Sequence, residues 1–370
     1  MFGIVLSCAV TLMQVYVFWR AASVPLLIRR FSRKRIFIVG FALWAIFLLS
    51  RLFDSGDLGS TGKVLELFGM TWMATLFLTS VVVLSVDVVT GFGAFWPRVV
   101  PRLRGAAFIV GGVLTAVALV QGLRAPIVKD YPAYIEGLLT ALDGTVIVSL
   151  SDLHLGTVLG EEWLAERVDQ VQAEHPDLIV LTGDVFEGHS APRPELLAGL
   201  RRLSAPLGVW GVLGNHESYI ARSNNTALFE EAGVRLLRNA WIEPRPGLVL
   251  AGVDDLSFSR DPRQMESYIS KALAARPTSA TILLSHAPVA TDFAVASGVK
   301  LMLFGHTHGG QIWPFSYLVE QRFPQIASEY AVGAMTLIVS RGTGTWGPRM
   351  RLWYPTEILR VTLHAGPNGA

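Results

Sequence analysis

Four stretches in the first third of the chain, residues 2–19, 36–50, 67–85 and 105–122, contain no charged residue and are almost wholly apolar. Three of them run for 18 or 19 residues. At ~1.5 Å per residue of helix, that length approaches the ~30 Å hydrocarbon core of a bilayer. The second has only 15 residues, but Arg35 and Arg51 flank it. Long cationic stems reach from such positions to the headgroups, so this stretch also reads as a span. Buried core helices are the competing reading, and those usually keep a polar face that these stretches lack. A cleavable signal peptide is disfavoured for the first stretch, because no basic segment precedes it and three further apolar runs follow.

Composition agrees. The chain is 51% hydrophobic and 16% charged, with a mean hydropathy of +0.45. Soluble domains carry about 25% charged residues, so disorder is excluded and a bilayer is the expected partner. The formal charge of +2 is too balanced for bulk electrostatic binding, and no nucleic-acid partner is expected. Cys8 is the only cysteine, which rules out an intramolecular disulfide and a cysteine-based metal site.

Orientation follows from the placement of Lys and Arg in the short connections. Arg20, Arg29, Arg30, Arg33, Lys34 and Arg35 lie in the first connection, and Arg98, Arg102 and Arg104 in the third. Both are expected on the cytoplasmic face. The second connection mixes Arg51 and Lys63 with Asp54 and Asp57, which suits the opposite face. With four spans, everything after residue 122 is extracytoplasmic, in a multi-pass protein of the cell membrane.

The expected organisation is therefore a membrane region over residues 1–123, a linker over 124–142 containing Pro126 and Pro132, a globular domain over 143–363 and a tail over 364–370. Within the globular half, β-branched runs at 145–150, 178–182, 209–213, 249–253, 281–285, 301–304, 337–340 and 358–363 read as strands. Helical patterns fall at 161–174, 195–203, 226–232 and 263–275. This alternation predicts an α/β layered domain.

Polar clusters follow those strands, at the sheet ends where α/β proteins place ligand sites. They are Ser151-Asp152-Leu153-His154, Gly183-Asp184, Gly214-Asn215-His216-Glu217, Ser285-His286 and Gly305-His306-Thr307-His308-Gly309-Gly310-Gln311. Five of the eight histidines lie in them. A lone histidine after a strand is usually a hydrogen-bonded surface or core residue. Five clusters in series instead offer the mixed carboxylate, imidazole and amide donors that Mn, Fe or Zn dications take. An alternation of two would send Asp152 and His154 to one side, and likewise His306 and His308. The glycines before Asp184, Asn215 and His306 permit tight turns and close backbone approach to a bound ion.

In order, D-x-H, G-D, G-N-H-E, H and G-H-x-H resemble the calcineurin-like metallophosphoesterases over residues 143–363. The Gly-Gly-Gln after the last pair and the segment 340–358 resemble the bacterial membrane-associated branch. The resemblance implies an αββα fold and two divalent metal ions. It assigns Asp152, His154 and His308 to one metal, Asn215, His286 and His306 to the other, and Asp184 as the bridge. It also implies a metal-activated hydroxide as nucleophile, with His216 stabilising the phosphoryl group and protonating the leaving oxygen. A hydrogen bond supporting a ligand is the alternative role for His216. For Glu217, orientation of a neighbouring histidine competes with a solvated charge at a helix start.

His189, in the segment 187–190, reads as part of an exposed loop, His175 as a helix-end residue, and Asp254 and Asp255 as turn or supporting residues. For Arg341 and Arg349 a phosphate contact competes with the commoner reading as surface arginines, and they are left outside the site. The aromatics of 312–317, beside the last histidine pair, read either as domain packing or as a contact with the lipid interface or an acyl chain. The expected activity is hydrolysis of phosphoester or pyrophosphate bonds, with a lipid or lipid-linked substrate favoured. The alternatives are a non-catalytic membrane receptor and a transporter with an appended domain. The transporter is disfavoured because the four stretches carry no mid-span charge.

Overall fold

The computed structural model describes residues 2–52, 59–187, 192–219 and 225–366. It divides into two compact units, one of residues up to Leu123 together with Gly347–Leu352, the other of Arg124–Trp346 and the chain from Trp353 onward.

The first unit contains α1 (Phe2–Ala21), α2 (Pro25–Arg30), α3 (Arg33–Leu52), α4 (Gly59–Val89) and α5 (Val100–Gly122). Among the described residues, three helices are long and apolar enough to cross a membrane, over Gly3–Ala21, Thr61–Val89 and Val100–Gly122. The expected fourth is not among them. α3 is a continuous 20-residue helix, but Arg33, Lys34 and Arg35 fill its first turn and Arg51 its last. α4 is longer than the expected span, with 31 residues that include Glu66 and Asp87.

Polar side chains fasten these helices to one another. Gln14 Nε2 donates to Gly40 O at 2.7 Å, Trp72 Nε1 to Gln14 Oε1 at 2.9 Å and Trp44 Nε1 to Thr11 Oγ1 at 3.0 Å. Asp87 is fully buried in the last turn of α4. Arg20 Nε stands 2.6 Å from its Oδ2, to which Tyr16 Oη donates at 2.7 Å. Arg104 Nε donates to its Oδ1 at 2.8 Å. The segment Gly347–Leu352 belongs with these helices, and Arg351 N–H donates to Ala118 O at 2.9 Å. A Cβ at Gly122 would strike the backbone of Arg349 and Met350, so this contact requires glycine.

The second unit runs β1 (Ile127–Ile135), β2 (Val146–Leu150), α6 (Glu161–Gln172), β3 (Leu178–Thr182), α7 (Pro194–Leu200), β4 (Val209–Val212), α8 (Asn225–Glu231), β5 (Arg235–Leu236), β6 (Ala240–Arg245) and β7 (Leu248–Gly252). It continues with α9 (Pro262–Ala272), β8 (Ala280–Leu284), α10 (Thr291–Ala296), β9 (Leu301–Phe304), α11 (Ser316–Arg322), β10 (Ser328–Val332), β11 (Met335–Val339) and β12 (Glu357–Ala365). Two six-stranded sheets form, in the orders β1-β12-β2-β3-β4-β5 and β10-β11-β9-β8-β7-β6.

Side-chain alternation makes these sheets the centre of four layers. Ile147, Leu178 and Val180 of one sheet share a core with Ile282, Leu301 and Leu303 of the other. Their neighbours Val148, Ile179 and Leu181 face outward onto Leu164 and Val168 of α6 and Leu196 of α7. On the far side, Leu283 and Met302 meet Ile269 of α9 and Ala294 of α10. Strands buried on both faces lose the polar alternation of a half-exposed sheet, which explains the near-continuous apolar runs in the sequence. Each fully buried Leu or Ile contributes about 1.5–3 kcal/mol.

One expected linker is a strand. Residues 127–135 pair in parallel with β12 from Ile127↔Glu357 to Ile135↔Ala365. Tyr131, Ala133 and Ile135 alternate inward, a period-two pattern that Pro126 and Pro132 mask.

Candidate metal centre

The expected ligands collect beyond the carboxyl ends of β2, β3, β8 and β9 and in the loop after β4. Asp152, His154 and His308 form one group of donor atoms lying within 4.8 Å of one another, and Asp184, His286 and His306 form another. A third, His154, Asp184 and His216, joins them. Asn215 Oδ1 lies 3.2 Å from His286 Nε2, which places the amide with the second group. Asp184 Oδ2 is 3.1 Å from His286 Nε2 and 4.0 Å from His154 Nε2, so this carboxylate stands between the groups.

The backbone produces this convergence by leaving the strand conformation. Asp152, His154, Asp184, His306 and His308 all have positive φ, between 45° and 69°. The two Asp/His-x-His pairs are therefore aimed by left-handed turns rather than by strand alternation. Such conformations are uncommon outside glycine and persist where surrounding contacts fix them. Gly183 shows how tight the fixing is. Its φ is +93°, and a Cβ there would strike His286 Nδ1 and the Gly214 backbone.

Hydrogen bonds select the tautomers. His286 Nδ1 lies 2.8 Å from Thr182 O and His154 Nδ1 lies 2.5 Å from Glu187 Oε2. Those nitrogens donate, leaving each Nε2 turned to the centre. There His154 Nε2 faces His308 Nε2 across 3.1 Å, and His286 Nε2 faces His306 Nδ1 across 3.1 Å. Imidazole nitrogens facing one another beside buried carboxylates fit cations between them. The donor set, nitrogen and oxygen without thiolate, fits a dinuclear divalent site.

Charges within the centre act on one another. Burial opposes ionisation of Asp184, yet His286, His216 and His154 hold its carboxyl well below the usual range. Burial keeps that of Asp152 above it. Burial also opposes protonation of His286, but Asp184 raises it well above an ordinary histidine. Burial, reinforced by the charge on His286, pushes His306 down to about 3.

Two carboxylates have roles that differ from the sequence reading. Glu187, expected in an exposed loop, has its Oε2 2.5 Å from His154 Nδ1 and 3.0 Å from His216 Nδ1. Its signal in the sequence is the spacing Gly183-Asp184-x-x-Glu187, which keeps it in the loop of Asp184. Burial alone would raise its carboxyl, but hydrogen bonds from His154 and His216 bring it down to about 2. Burial would likewise lower His216, but Glu187 raises it to about 9. Glu217 is not solvated. It is fully buried and accepts from the backbone N–H groups of Gly214, Asp184, Val185 and Phe186 at 2.7, 3.0, 2.7 and 3.2 Å. It thereby fastens the Asp184 loop to the Asn215 loop.

His216 is further oriented by its N–H, which donates to Asp184 Oδ1 at 2.8 Å, and by Trp346, whose ring centroid lies 6.2 Å away. Gln311 holds Trp346 through both main-chain groups, at 2.9 and 3.0 Å. Asp254 pairs with Arg238, Asp255 accepts from Ser257 N–H, and Arg341 pairs with the buried Glu357. His175 follows α6 in a left-handed conformation, Arg349 lies in the Gly347–Leu352 segment, and His189 lies outside the described residues.

A layered α/β domain carrying two adjacent clusters of imidazole and carboxylate donors at its strand ends defines a dinuclear metal-dependent hydrolase class. The family model for calcineurin-like phosphoesterases matches residues 145–310. An uncharacterized metallophosphoesterase of Aquifex aeolicus is 36% identical over 60% of this chain and 86% of its own length. One from Campylobacter jejuni is 28% identical over 95% of both chains. A transmembrane protein with metallophosphoesterase domain from Bos taurus is 32% identical over 70% of this chain, which spans 62% of that relative. The chain belongs to the calcineurin-like metallophosphoesterase family.

Proposed function

We propose that this protein is a membrane-anchored phosphoesterase that hydrolyses a lipid or lipid-linked phosphoester or pyrophosphate. The observation that carries the reading is the pair of donor clusters joined at Asp184. When bound, two divalent cations supply Lewis acidity toward the phosphoryl oxygens and water of lowered pKa. Asp152, His154 and His308 would hold one, Asn215, His286 and His306 the other, and Asp184 would serve both. His216 donates its proton to the leaving oxygen, and Glu187 keeps that proton in place and the ring oriented.

Membrane anchoring rests on the three apolar helices, and its topology on Asp87. Arg20 at the end of α1 and Arg104 at the start of α5 both meet this residue at the end of α4. The carboxyl ends of α1 and α4 thus share one face of the helical unit, the arrangement that a return crossing by α3 would give. Twenty residues of helix reach ~30 Å, enough for that return. This supports four crossings, the arginine-rich connections in the cytoplasm and the catalytic domain on the extracytoplasmic side. Protease added to intact cells should digest the C-terminal domain, and full protection would contradict that placement.

The activity is tested by presenting the purified full-length chain, loaded with Mn, with soluble monoesters, diesters and pyrophosphates alongside lipid extracts. Preferential release of phosphate or phosphoester from the lipid fraction is expected. A preference for soluble diesters would defeat the lipid assignment, and no metal-dependent hydrolysis would defeat the enzyme assignment.

A further inference from the structure

The three long apolar helices meet in a cluster of charge. Arg20 stands at the end of α1, Asp87 in the last turn of α4 and Arg104 near the start of α5, exposed by only 7, 0 and 6%. Asp87 is the only acidic residue between positions 67 and 129, and none precedes Asp54. Two buried cations therefore share one buried anion, which leaves the cluster with one surplus positive charge. Burial of a charge is costly unless it is paired, and within membrane-spanning helices such residues take counter-charges.

The surplus can be assigned to one side chain. Arg104 is engaged on every nitrogen: Nε and Nη2 meet Asp87 Oδ1 at 2.8 and 2.7 Å, Nη1 donates to Ser23 Oγ at 3.3 Å, and Nη2 reaches Phe92 O at 3.4 Å. Arg20 has a single ion pair, from Nε to Asp87 Oδ2 at 2.6 Å, and that contact is out of line for a hydrogen bond. The face of its guanidinium lies 3.7 Å from the centroid of the Trp19 ring, with the Tyr16 and Phe92 rings at 5.7 and 5.8 Å. Among the described residues, no carboxylate or carbonyl oxygen accepts a hydrogen bond from its two Nη groups. A guanidinium held by one edge and one face keeps a fork of N–H donors, the geometry that takes a phosphate through two parallel bonds.

The surroundings are those of a headgroup layer. Trp19, Phe92, Phe95 and Trp96 are all exposed, on the end of α1 and in the connection between α4 and α5. Aromatic side chains collect where hydrocarbon meets water. The carbonyl of Phe92 accepts from Arg104, so the aromatic connection and the charged cluster are one structure.

We infer that Arg20, stacked on Trp19 and backed by Asp87 and Arg104, binds the phosphate of an anionic phospholipid where these helices end. One negative charge on such a lipid balances the surplus of the cluster, whereas the choline of phosphatidylcholine already neutralises its own phosphate. Basic recesses between spanning helices hold anionic headgroups in this way. The inference rests on the membrane reading above; it is independent of the phosphoesterase reading and of which leaflet the cluster faces.

The test uses the full-length protein purified in dodecyl maltoside, with its thermal midpoint followed against added phosphatidylglycerol or phosphatidylcholine of the same acyl chains. Phosphatidylglycerol should reach half of its stabilising effect at a concentration about fivefold or more below phosphatidylcholine, the worth of one cation beside an anionic lipid. Arg20→Gln leaves Arg104 and Tyr16 on Asp87 and should bring that ratio towards one. Arg20→Lys, which keeps the charge without the fork, should lower it as well. Arg30→Gln, at an exposed cation of the same connection, should leave the ratio unchanged. Sodium phosphate at the same concentrations should not move the midpoint. Equal effects of the two lipids on the unmodified protein, an unchanged ratio in both Arg20 variants, or an equal loss in Arg30→Gln would overturn the site. A shift with sodium phosphate as large as that with phosphatidylglycerol would make the ligand a free anion and overturn the lipid assignment. Recovery of the folded chain in the soluble fraction without detergent would overturn the membrane reading and this inference with it.

Discussion

Glu187 Oε2 lies 3.0 Å from His216 Nδ1 and, with the same oxygen, reaches the donor histidine His154. One carboxylate therefore orients both an imidazole proposed to hold a cation and the proposed proton donor. Glu187→Gln should lower turnover by about 10–100-fold with metal content retained, as expected for the loss of an outer carboxylate partner. It should also move the alkaline limb of the rate profile to lower pH, since the hydrogen bond to Glu187 is the largest of the influences that raise His216, ahead of the charges on Asp184 and Glu217. A profile unchanged in shape would remove Glu187 from proton donation.

The same pair has a stability signature in the metal-free protein. His216 is raised from 6.5, so its contribution is fully present below about 6.5 and is lost as pH rises through about 9. Glu187 is lowered from 4.5, so its contribution is present above about 4.5 and is lost as pH falls through about 2. Thermal unfolding of chelated protein should show both limbs, and the alkaline one should be absent in His216→Ala.

Asp184→Asn keeps an oxygen able to accept the His216 N–H but removes the charge between the two donor groups. Turnover should fall by more than the about 100-fold upper range for losing a supporting partner, with the domain still folded by circular dichroism. Full activity would exclude the bridging role.

Metal uptake should strengthen as pH rises. His286 is raised well above an ordinary histidine by Asp184, so a cation must displace its proton. Competition with a chelator between pH 6 and 8 should show weaker Mn binding at the lower pH and proton release on binding. Binding independent of pH would contradict the protonated state of His286.

Within the helical unit, Asp87→Ala would leave Arg20 and Arg104 buried without their carboxylate. Breaking buried pairs in this way costs about 3–5 kcal/mol. The full-length protein in detergent should unfold at a lower temperature than the unmodified chain, and an unchanged midpoint would make the cluster dispensable.

The residues of the candidate centre were readable in the sequence because side chains able to hold a metal are few in kind and each of these follows an apolar strand. Asp152, His154, Asp184, His286, His306 and His308 all stand in such positions. Their supports were harder to read. Glu187 and Glu217 look like solvated charges until folding brings the Asp184 and Asn215 loops together, since their partners are 29 to 33 residues away or are backbone groups. β1 was concealed by prolines and by a partner strand at the other end of the chain. β5, with two residues, and α10, with six, are too short for periodicity to register. The charged ends of α3 kept it outside the apolar class, although Asp87 ties the ends of its neighbours together.

The central claim is that this chain holds two divalent cations and cleaves phosphoesters with them. The most direct measurement is a titration of chelated full-length protein with Mn, following bound metal and aryl phosphate hydrolysis together. The account predicts saturation at two ions per chain, with hydrolysis appearing as the pair fills and disappearing in Asp184→Asn. Hydrolysis that persists in the chelated protein, or saturation at two ions without hydrolysis of any phosphoester, would contradict it.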